Sequence, residues 1–466
     1  MTKRDYLALS VLLLAGFVTI FDLFVVNIAV TNIQTHLQAS IFQVTLVIVT
    51  YEIGFGLLLI TGGRLGDLFG RRRLFQFGIL TFTFTSLLCG LAPTANTLII
   101  ARFLQGLSAA LLFPQVYACI RVNFEGDNAR KAFGLLGMTL GFAAIAGQIL
   151  GGWMISANFW DLQWRSIFLV NIPVGILALI FSGYIPESKA KEKTGLDWGG
   201  VALSGIGIFA LLSPLLVGPV LGWPVWCWLL LLLSLVALSQ FVRHERRYVY
   251  QGKTPLFNFE LLKNRQFRLG CLLVLCIYST SSSFFLIFAL FLQSGLGLAA
   301  IDAGLIFAPA SIGFVLSSLT APYWVKRFGN RAIVAGALLY FASFIVLAVV
   351  IAQLQVNSDL LLIIPVVTIL GYGQGFVMTP LLNIVLAFVQ TKFAGMASGV
   401  VSTLQQVGAA FGVAIVSILV QWKLDIAGVS AFMGYQNALV SGMFYNIAAA
   451  FVAFCLLRAL NRASSR

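Results

Sequence analysis

Charged residues are scarce in this sequence: of its 466 residues, 60% are hydrophobic and 9% are charged, and the mean hydropathy is +0.99. Soluble proteins carry roughly 25% charged residues. Water therefore cannot be the main solvent of the folded chain. The composition predicts a membrane protein with little material left for a soluble domain.

Residues that build catalytic or metal centres are also few. The two histidines, His36 and His244, are predicted on opposite faces of the membrane, and the six cysteines lack the spacing of a zinc site or a redox pair. No Gly-rich phosphate-binding loop occurs, so ATP-driven chemistry within this chain is not expected. We expect no enzyme activity, no metal and no cofactor, and interpret the cysteines as small buried apolar residues.

Long apolar runs recur along the whole chain, and each approaches the ~20 residues needed to cross a bilayer. Segments such as Leu229–Leu238 are apolar on all sides, which excludes porin-type strands and leaves helices, since helices satisfy their own backbone in lipid. The first run lacks the features of a signal peptide and is interpreted as a retained helix. The predicted spans are 7–30, 42–64, 74–92, 97–119, 132–156, 166–186, 198–218, 224–242, 268–293, 301–324, 332–352, 359–387, 394–420 and 437–458.

Lysine and arginine are distributed unevenly among the predicted loops. With the N-terminus placed inside, all of them except Arg102, Arg165 and Lys423 fall in cytoplasmic segments. This positive-inside asymmetry predicts a multi-pass protein of a bacterial inner membrane with both termini in the cytoplasm. The net charge of +14 is then a consequence of topology, and no nucleic-acid partner is expected.

The segment Gly63–Arg73, directly after span 2, is the most specific local pattern. Its glycines permit close helix packing and a tight turn. Asp67 offers a carboxylate that can accept the N-terminus of the next helix or pair with Arg71 or Arg72. The candidate gating residues of this cytoplasmic loop are Gly63, Arg64, Gly66, Asp67, Gly70, Arg71 and Arg72.

A weaker copy of this pattern, Phe328-Gly329-Asn330-Arg331, follows span 10. The repeat predicts two related six-helix halves, as is usual in secondary transporters, with spans 7 and 8 inserted between them. The predicted domains are an N-terminal half at 1–186, two inserted transmembrane helices with cytoplasmic linkers at 187–267, and a C-terminal half at 268–466.

The Gly63–Arg73 segment resembles the cytoplasmic-loop signature of the major facilitator superfamily. Segment 98–110 is similar to a further motif of this family. Segments 21–29 and 164–173 are similar to motifs of its fourteen-helix drug/proton antiporter branch. The resemblance implies a bundle of fourteen transmembrane helices with a central cavity between the halves. It also implies proton-coupled export of hydrophobic or cationic compounds by alternating access.

Span 5 is similar to the glycine-rich antiporter motif of that branch. Gly147, Gly151 and Gly152 match it, whereas Ala143 and Gln148 replace a glycine and a proline. The glycines are expected to allow tight packing of this helix. The missing proline removes the kink that the motif would produce.

Three ionisable residues are predicted inside the first spans: Asp22, Glu52 and Arg102. Charge within lipid is costly and is a functional candidate by default. At about 1.5 Å per residue, all three fall in the outer half of the N-terminal bundle. We interpret Asp22 as the nearer partner of Arg102 and Glu52 as the titrating or substrate-facing acid, although the roles could be exchanged. The alternative is a static ion pair that only packs helices.

The C-terminal half has amides rather than acids in its predicted spans. Together with phenylalanine rings they could line a cavity that binds lipophilic cations, although hydrogen bonding between helices explains the amides equally well. The possible cavity residues are Asn27, Gln105, Phe113, Gln374, Asn383, Gln405 and Gln406.

The sequence therefore predicts a multidrug exporter, expected to be a monomer, with small molecules, protons and the lipid bilayer as its partners. A proton-coupled symporter that imports a nutrient or an organic anion is the alternative, with Arg102 as the cavity cation. A membrane enzyme and a sensor are disfavoured, because no catalytic constellation and no output domain is recognisable.

Overall fold

The computed structural model describes residues 2–158, 161–189, 195–298, 300–355, 360–424 and 431–464. Within these ranges, fourteen helical segments are long and apolar enough to cross a membrane. This confirms the prediction of an all-helical protein with fourteen spans. Residues 190–194, in the predicted linker before span 7, lie outside the described residues.

The described residues form fifteen α-helices. The first nine are α1 (Lys3–His36), α2 (Ile41–Phe69), α3 (Arg71–Gly90), α4 (Ala95–Asn123), α5 (Gly126–Ala157), α6 (Ser166–Leu169), α7 (Asn171–Phe181), α8 (Trp198–Leu221) and α9 (Val225–Tyr250). The others are α10 (Arg265–Leu290), α11 (Ala300–Phe328), α12 (Asn330–Gln353), α13 (Ile363–Ala387), α14 (Ala394–Leu424) and α15 (Ala431–Ser464). Short α6 and α7 together make the sixth span.

The helices extend beyond the apolar runs that predicted them. Helix α1 begins at Lys3 because Thr2 and Asp5 form a capping box, and α2 is capped in the same way by Ser40 and Gln43. Hydropathy marks only the part of a helix that lies in lipid, whereas capping side chains decide where its backbone pairing starts. The first two predicted spans are therefore too short, whereas the predicted spans 3 and 6 extend beyond the ends of α3 and α7.

Residues Met1–Ala132, Phe142–Lys263 and Leu386–Thr403 form one compact unit, here called unit 1. In it α4 packs against α1, α2 and α3, and α1 also contacts α7. The inserted pair is attached through α8, which packs on α2, while α9 packs on α8. The remaining surface of α9 exposes Leu229, Leu232 and Leu235 by 62%, 60% and 70%, as expected of a lipid-facing helix.

Residues Phe133–Gly141, Asn264–Val385 and Leu404–Arg466 form the second compact unit, unit 2. Helix α15 packs against α10 and α12, and α11 packs against α12. Aromatic rings fill the space between α10, α11 and α12: Phe284 stands 5.8 Å from Phe307 and from Phe344, and Phe285 stands 4.5 Å from Phe307, between ring centroids. Apolar rings supply most of this packing.

Candidate functional site

Arg102, in the first half of α4, is completely buried and forms an ion pair with Asp22 of α1. Its Nη1 also donates to Oε1 of Gln105 at 2.7 Å, and its Nε donates to the backbone oxygen of Val47 at 3.2 Å. The guanidinium lies over the ring of Tyr51, 4.3 Å from its centroid. A cation removed from water in this way is stabilised by its carboxylate, by carbonyl oxygens and by the ring face.

Asp22 is also fully buried, and its second oxygen accepts two amide hydrogen bonds. Gln105 Nε2 donates to Oδ1 at 2.9 Å, and Asn171 Nδ2 of α7 donates to the same atom at 2.8 Å. Gln105 Nε2 further donates to Ser86 Oγ of α3 at 2.8 Å. Side chains from α1, α3, α4 and α7 thus converge on one carboxylate. We call Asp22, Ser86, Arg102, Gln105 and Asn171 the Arg102 network.

Glu52 of α2 lies next to this network without joining it. Unlike Asp22, it is only partly buried, and it makes no hydrogen bond or ion pair with any other described residue. It still interacts electrostatically with Arg102. The two acids therefore differ in environment: Asp22 is the ion-pair partner of Arg102, whereas Glu52 is not paired with any described residue. Two carboxylates of unequal environment near one cation can divide charge balance and proton binding between them.

The turn from α2 to α3 is connected to the start of α14. Asp67 is fully buried, pairs with Arg71 Nη2 at 2.6 Å, and accepts from the backbone N–H groups of Gly395 and Met396 at 3.0 and 2.8 Å. These amides belong to the first turn of α14, where helix N–H groups have no partner within the helix and carry partial positive charge. Arg71 Nη2 also donates to the Thr391 oxygen at 3.1 Å. One carboxylate thus ties both segments together within unit 1.

Helix α3 is capped by a residue from the end of the sixth span. The Glu187 carboxylate accepts from the backbone N–H groups of Arg72 and Arg73 at 3.1 and 3.3 Å. Arg71 contacts the adjacent Ser188 through both its backbone and its side chain. The pairing of Asp67 with Arg71 is as predicted. The other possibility that the sequence left open, Asp67 accepting the N-terminus of the next helix, does not occur, because Glu187 occupies that position and Asp67 caps α14.

Gly70→Ala is expected to destabilise the protein by about 1–3 kcal/mol. The backbone at Gly70 has φ +109°, which side chains rarely adopt, and an added Cβ would lie 2.7 Å from Glu187 Oε1. Gly126→Ala is the matched control, since Gly126 has φ +54° with nothing within 4 Å of a Cβ. The midpoint of thermal unfolding, followed in detergent by the reactivity of the buried cysteines, should fall further for Gly70→Ala. Equal shifts in the two variants would contradict this account.

The glycines of α5 face α1 within unit 1. A Cβ on Gly147 would lie 3.1 Å from both the Phe21 oxygen and the Val25 nitrogen, and one on Gly151 would contact the Val25 side chain. Gly152 has more room. The first two glycines therefore bring α5 against the backbone of the helix that carries Asp22, as small residues do between membrane helices.

A family model described as Major Facilitator Superfamily matches residues 12–204 and 198–413 of the chain. The chain belongs to the Major Facilitator Superfamily. Among its relatives in this superfamily, the probable actinorhodin transporter of Streptomyces coelicolor is 33% identical over 418 residues, which cover 89% of this chain and 72% of that protein. Puromycin resistance protein pur8 of Streptomyces alboniger is 34% identical over 429 residues, covering 89% and 81%. These matches confirm the resemblance that the Gly63–Arg73 segment indicated.

The crystal structure of the human organic anion transporter MFSD10 (TETRAN) is similar to the whole chain, with a TM-score of 0.68 at 12% identity. The match covers 97% of this chain and 100% of that chain. At this identity it supports the superfamily fold alone. The protein is a membrane transporter of small molecules rather than an enzyme, as the sequence predicted.

The possible cavity residues of this superfamily member are dispersed. Gln105 belongs to the Arg102 network, Phe113 is buried against Phe55 and Tyr117, and Asn27 is exposed. In unit 2, Gln374 donates to Ser281 Oγ at 2.6 Å and Gln405 donates to Tyr278 Oη at 2.7 Å. Asn383 and Gln406 are partly buried. The structure thus gives two of the four amides of unit 2 hydroxyl partners on α10.

Sequence reasoning missed several residues that complete these sites. Asn171 was visible as an amide inside an apolar run, and intramembrane polarity could have marked it as a partner of Asp22. Ser86 carries no such signal, because hydroxyls are common in membrane helices. Glu187 follows the sixth span in a short polar turn, and nothing in that turn indicates that its carboxylate caps α3.

Proposed function

We propose that this protein is a proton-coupled exporter of hydrophobic or cationic small molecules that works by alternating access. The observation that carries the proposal is Glu52, a partly buried acid with no hydrogen bond or ion pair among the described residues, beside the buried Asp22–Arg102 ion pair. Arg102 holds Asp22 as an anion, and Glu52 takes up and releases the transported proton. The similarity to proteins named for puromycin resistance and actinorhodin transport supports export of such compounds.

In this proposal the α2–α3 loop is the conformational latch. Asp67 holds the first turn of α14 through two backbone amides and is itself held by Arg71. Transport requires this contact to form and to break in each cycle, because alternating access moves the helices that surround the substrate. The contact is strong enough to stabilise one state, since hydrogen bonds to a charged group contribute about 1.5–3 kcal/mol each.

Glu52→Gln is expected to abolish substrate-triggered proton movement while leaving folding and expression intact, because the amide keeps the size of the side chain and cannot exchange a proton. The protein is reconstituted in liposomes with an imposed pH gradient, and a pH-sensitive dye in the lumen reports protons when lipophilic cations are added. Glu260→Gln, at an exposed acid paired with Lys263, is the matched control and should behave as wild type.

Two results would overturn the proposal. Unaltered proton movement in Glu52→Gln would remove Glu52 from the coupling step. Absence of proton movement for every cation with folded wild-type protein would argue against cation export, and would direct attention to anionic or nutrient substrates and to Arg102.

A further inference from the structure

Two carboxylates approach the same glycine where α8 begins and α9 ends. Asp197 caps α8, accepting from the backbone N–H of Gly200 at 3.0 Å. Glu245, in the last turns of α9, reaches the same glycine. A methyl group added at Gly200 would lie 2.9 Å from Asp197 Oδ2 and in still closer contact with Glu245 Oε1. Asp197 is 3% exposed and Glu245 is 0% exposed, so both acids are shielded from solvent.

The two acids are unequally satisfied. His244 Nε2 lies 2.9 Å from each oxygen of Asp197, whereas the oxygens of Glu245 form no hydrogen bond of normal geometry within the described part of the chain. The charge of Asp197 opposes ionisation of Glu245, whereas the nearby backbone N–H groups of Phe257 and Leu256 and the guanidinium of Arg64 from α2 favour its anion. Arg64 is 3% exposed, so this charge is also shielded from water.

A buried carboxylate with only weak polar contacts is costly as an anion, and a neighbouring carboxylate increases that cost. One proton relieves both penalties, because the neutral acid group becomes a hydrogen-bond donor that can bond to the adjacent carboxylate. Carboxyl groups that lie close together in a buried site can therefore hold a single proton between them.

We propose that Asp197 and Glu245 share one proton and form a second proton-binding site, separate from the Arg102 network, whose occupancy controls the attachment of the inserted α8–α9 pair to the end of α2. Losing the proton leaves two negative charges side by side and one of them opposite Arg64. The charges repel each other, which separates the start of α8 from the end of α9. The new anion attracts Arg64, which is part of the α2–α3 gating segment. The site thereby makes the gating segment respond to proton concentration.

Infrared spectroscopy tests the site without requiring transport. Purified protein in detergent is titrated upward in pH, and the C=O stretching band of protonated carboxyl groups is recorded for wild type, Glu245→Gln, Asp197→Asn and the exposed control Glu260→Gln. Wild type and Glu260→Gln should keep a band after exposed acids have ionised. Glu245→Gln should lose the component of that band that Glu245 contributes, and Asp197→Asn should lose this component at lower pH or change its frequency.

A wild-type minus Glu245→Gln difference spectrum that is flat across the titration would overturn the proposal, because Glu245 would then carry no proton. Replacing Na⁺ by choline in the buffer should leave the band unchanged. A band that appears only when Na⁺ is removed would assign the site to a metal cation instead. Neither result depends on Glu52, so this test and the liposome test fail independently.

The structural consequence is tested by distance measurement. Spin labels are attached to cysteines introduced at Phe69 and Tyr250, which are 62% and 90% exposed at the ends of α2 and α9. The exposed Cys455 is replaced by serine. The labels then report the distance between the ends of the two helices. The distance distribution should shift with rising pH in wild type and stay at its low-pH form in Glu245→Gln. The same pH-dependent shift in both proteins would contradict a controlling role for the site.

Discussion

Asp22→Asn is expected to stop transport and to destabilise the protein by about 3–5 kcal/mol, the range found when one partner of a buried ion pair is removed. Arg102 would keep its full charge at a buried position without its ion-pair partner, and carbonyl oxygens and the rings of Tyr51 and Phe168 do not replace a carboxylate. The asparagine also replaces one of the two acceptor oxygens by a donor, which then faces either Arg102 or the amides of Gln105 and Asn171, all of which are donors themselves. The thermal unfolding midpoint in detergent and substrate flux in liposomes measure the two effects.

Asp302→Asn is the matched control, since this acid is exposed at the start of α11, and it should change neither stability nor flux appreciably. The double variant Asp22→Asn with Arg102→Gln should recover part of the lost stability, because no unpaired charge remains, but it should recover no transport. If Asp22→Asn alone were as stable as wild type, the pair would contribute nothing to the fold. If the double variant transported, the pair would be a packing contact only.

Asp67→Asn is expected to reduce transport at least roughly tenfold and to destabilise the protein by about 2–4 kcal/mol. The carboxylate accepts two backbone hydrogen bonds at the positively charged end of α14 and one ion pair from Arg71. An amide retains one acceptor oxygen and carries no charge, so it loses most of this interaction. Flux in liposomes and the thermal midpoint again provide the measurement.

The control for Asp67 is Asp127→Asn, which breaks a pair with Arg130 whose acid and base side chains are 49% and 38% exposed. Exposed pairs contribute only about 0–1 kcal/mol, so this variant should lie close to wild type. An equal loss of transport and of stability in both variants would mean that neither the burial of Asp67 nor its contact with α14 contributes to these effects. Undiminished transport in Asp67→Asn would remove the latch from the proposed cycle.

Part of the Arg102 network could be predicted from sequence. An arginine in an apolar run requires a partner, and the scarcity of acids in the first spans left only Asp22 and Glu52 as candidates. The choice between them depends on the rotation of α1 and α2 about their axes, and so does the convergence of Ser86, Gln105 and Asn171 on Asp22. Helix rotation is set by the packing of side chains from several helices, and it cannot be predicted from the sequence of one helix alone.

The α2–α3 loop shows a similar limit. Its glycines, and the single acid Asp67 between Arg64 and Arg71, indicated a specialised turn. Gly70 has the positive φ that such a turn requires. The contact between Asp67 and α14 joins residues more than 300 positions apart in the chain. Local chemistry indicated that Asp67 would accept helix amides, but only tertiary packing determined that they belong to α14.

The inserted helices carry the least sequence information about their role. Asp197 and Glu245 appear in the sequence as ordinary acids near helix ends, where charge normally contacts water or headgroups. Their burial arises because α9 packs on α8 and α8 packs on α2, which closes the space around Gly200. No hydropathy pattern predicts that an acid near a span end is excluded from solvent.

Composition and hydropathy by themselves determined that this protein is a membrane-spanning helical bundle with fourteen spans. The reason is that each segment that crosses lipid must be a helix that satisfies its own backbone hydrogen bonds and is covered by apolar side chains, and this requirement is visible in the local sequence. The glycine and arginine motifs determined its superfamily. The tertiary structure alone decided which acid pairs with Arg102, which helix accepts the contact with Asp67 and which acids are buried. Those outcomes depend on how helices are rotated and shifted against each other, and a contact of a few ångströms is decided jointly by distant parts of the chain.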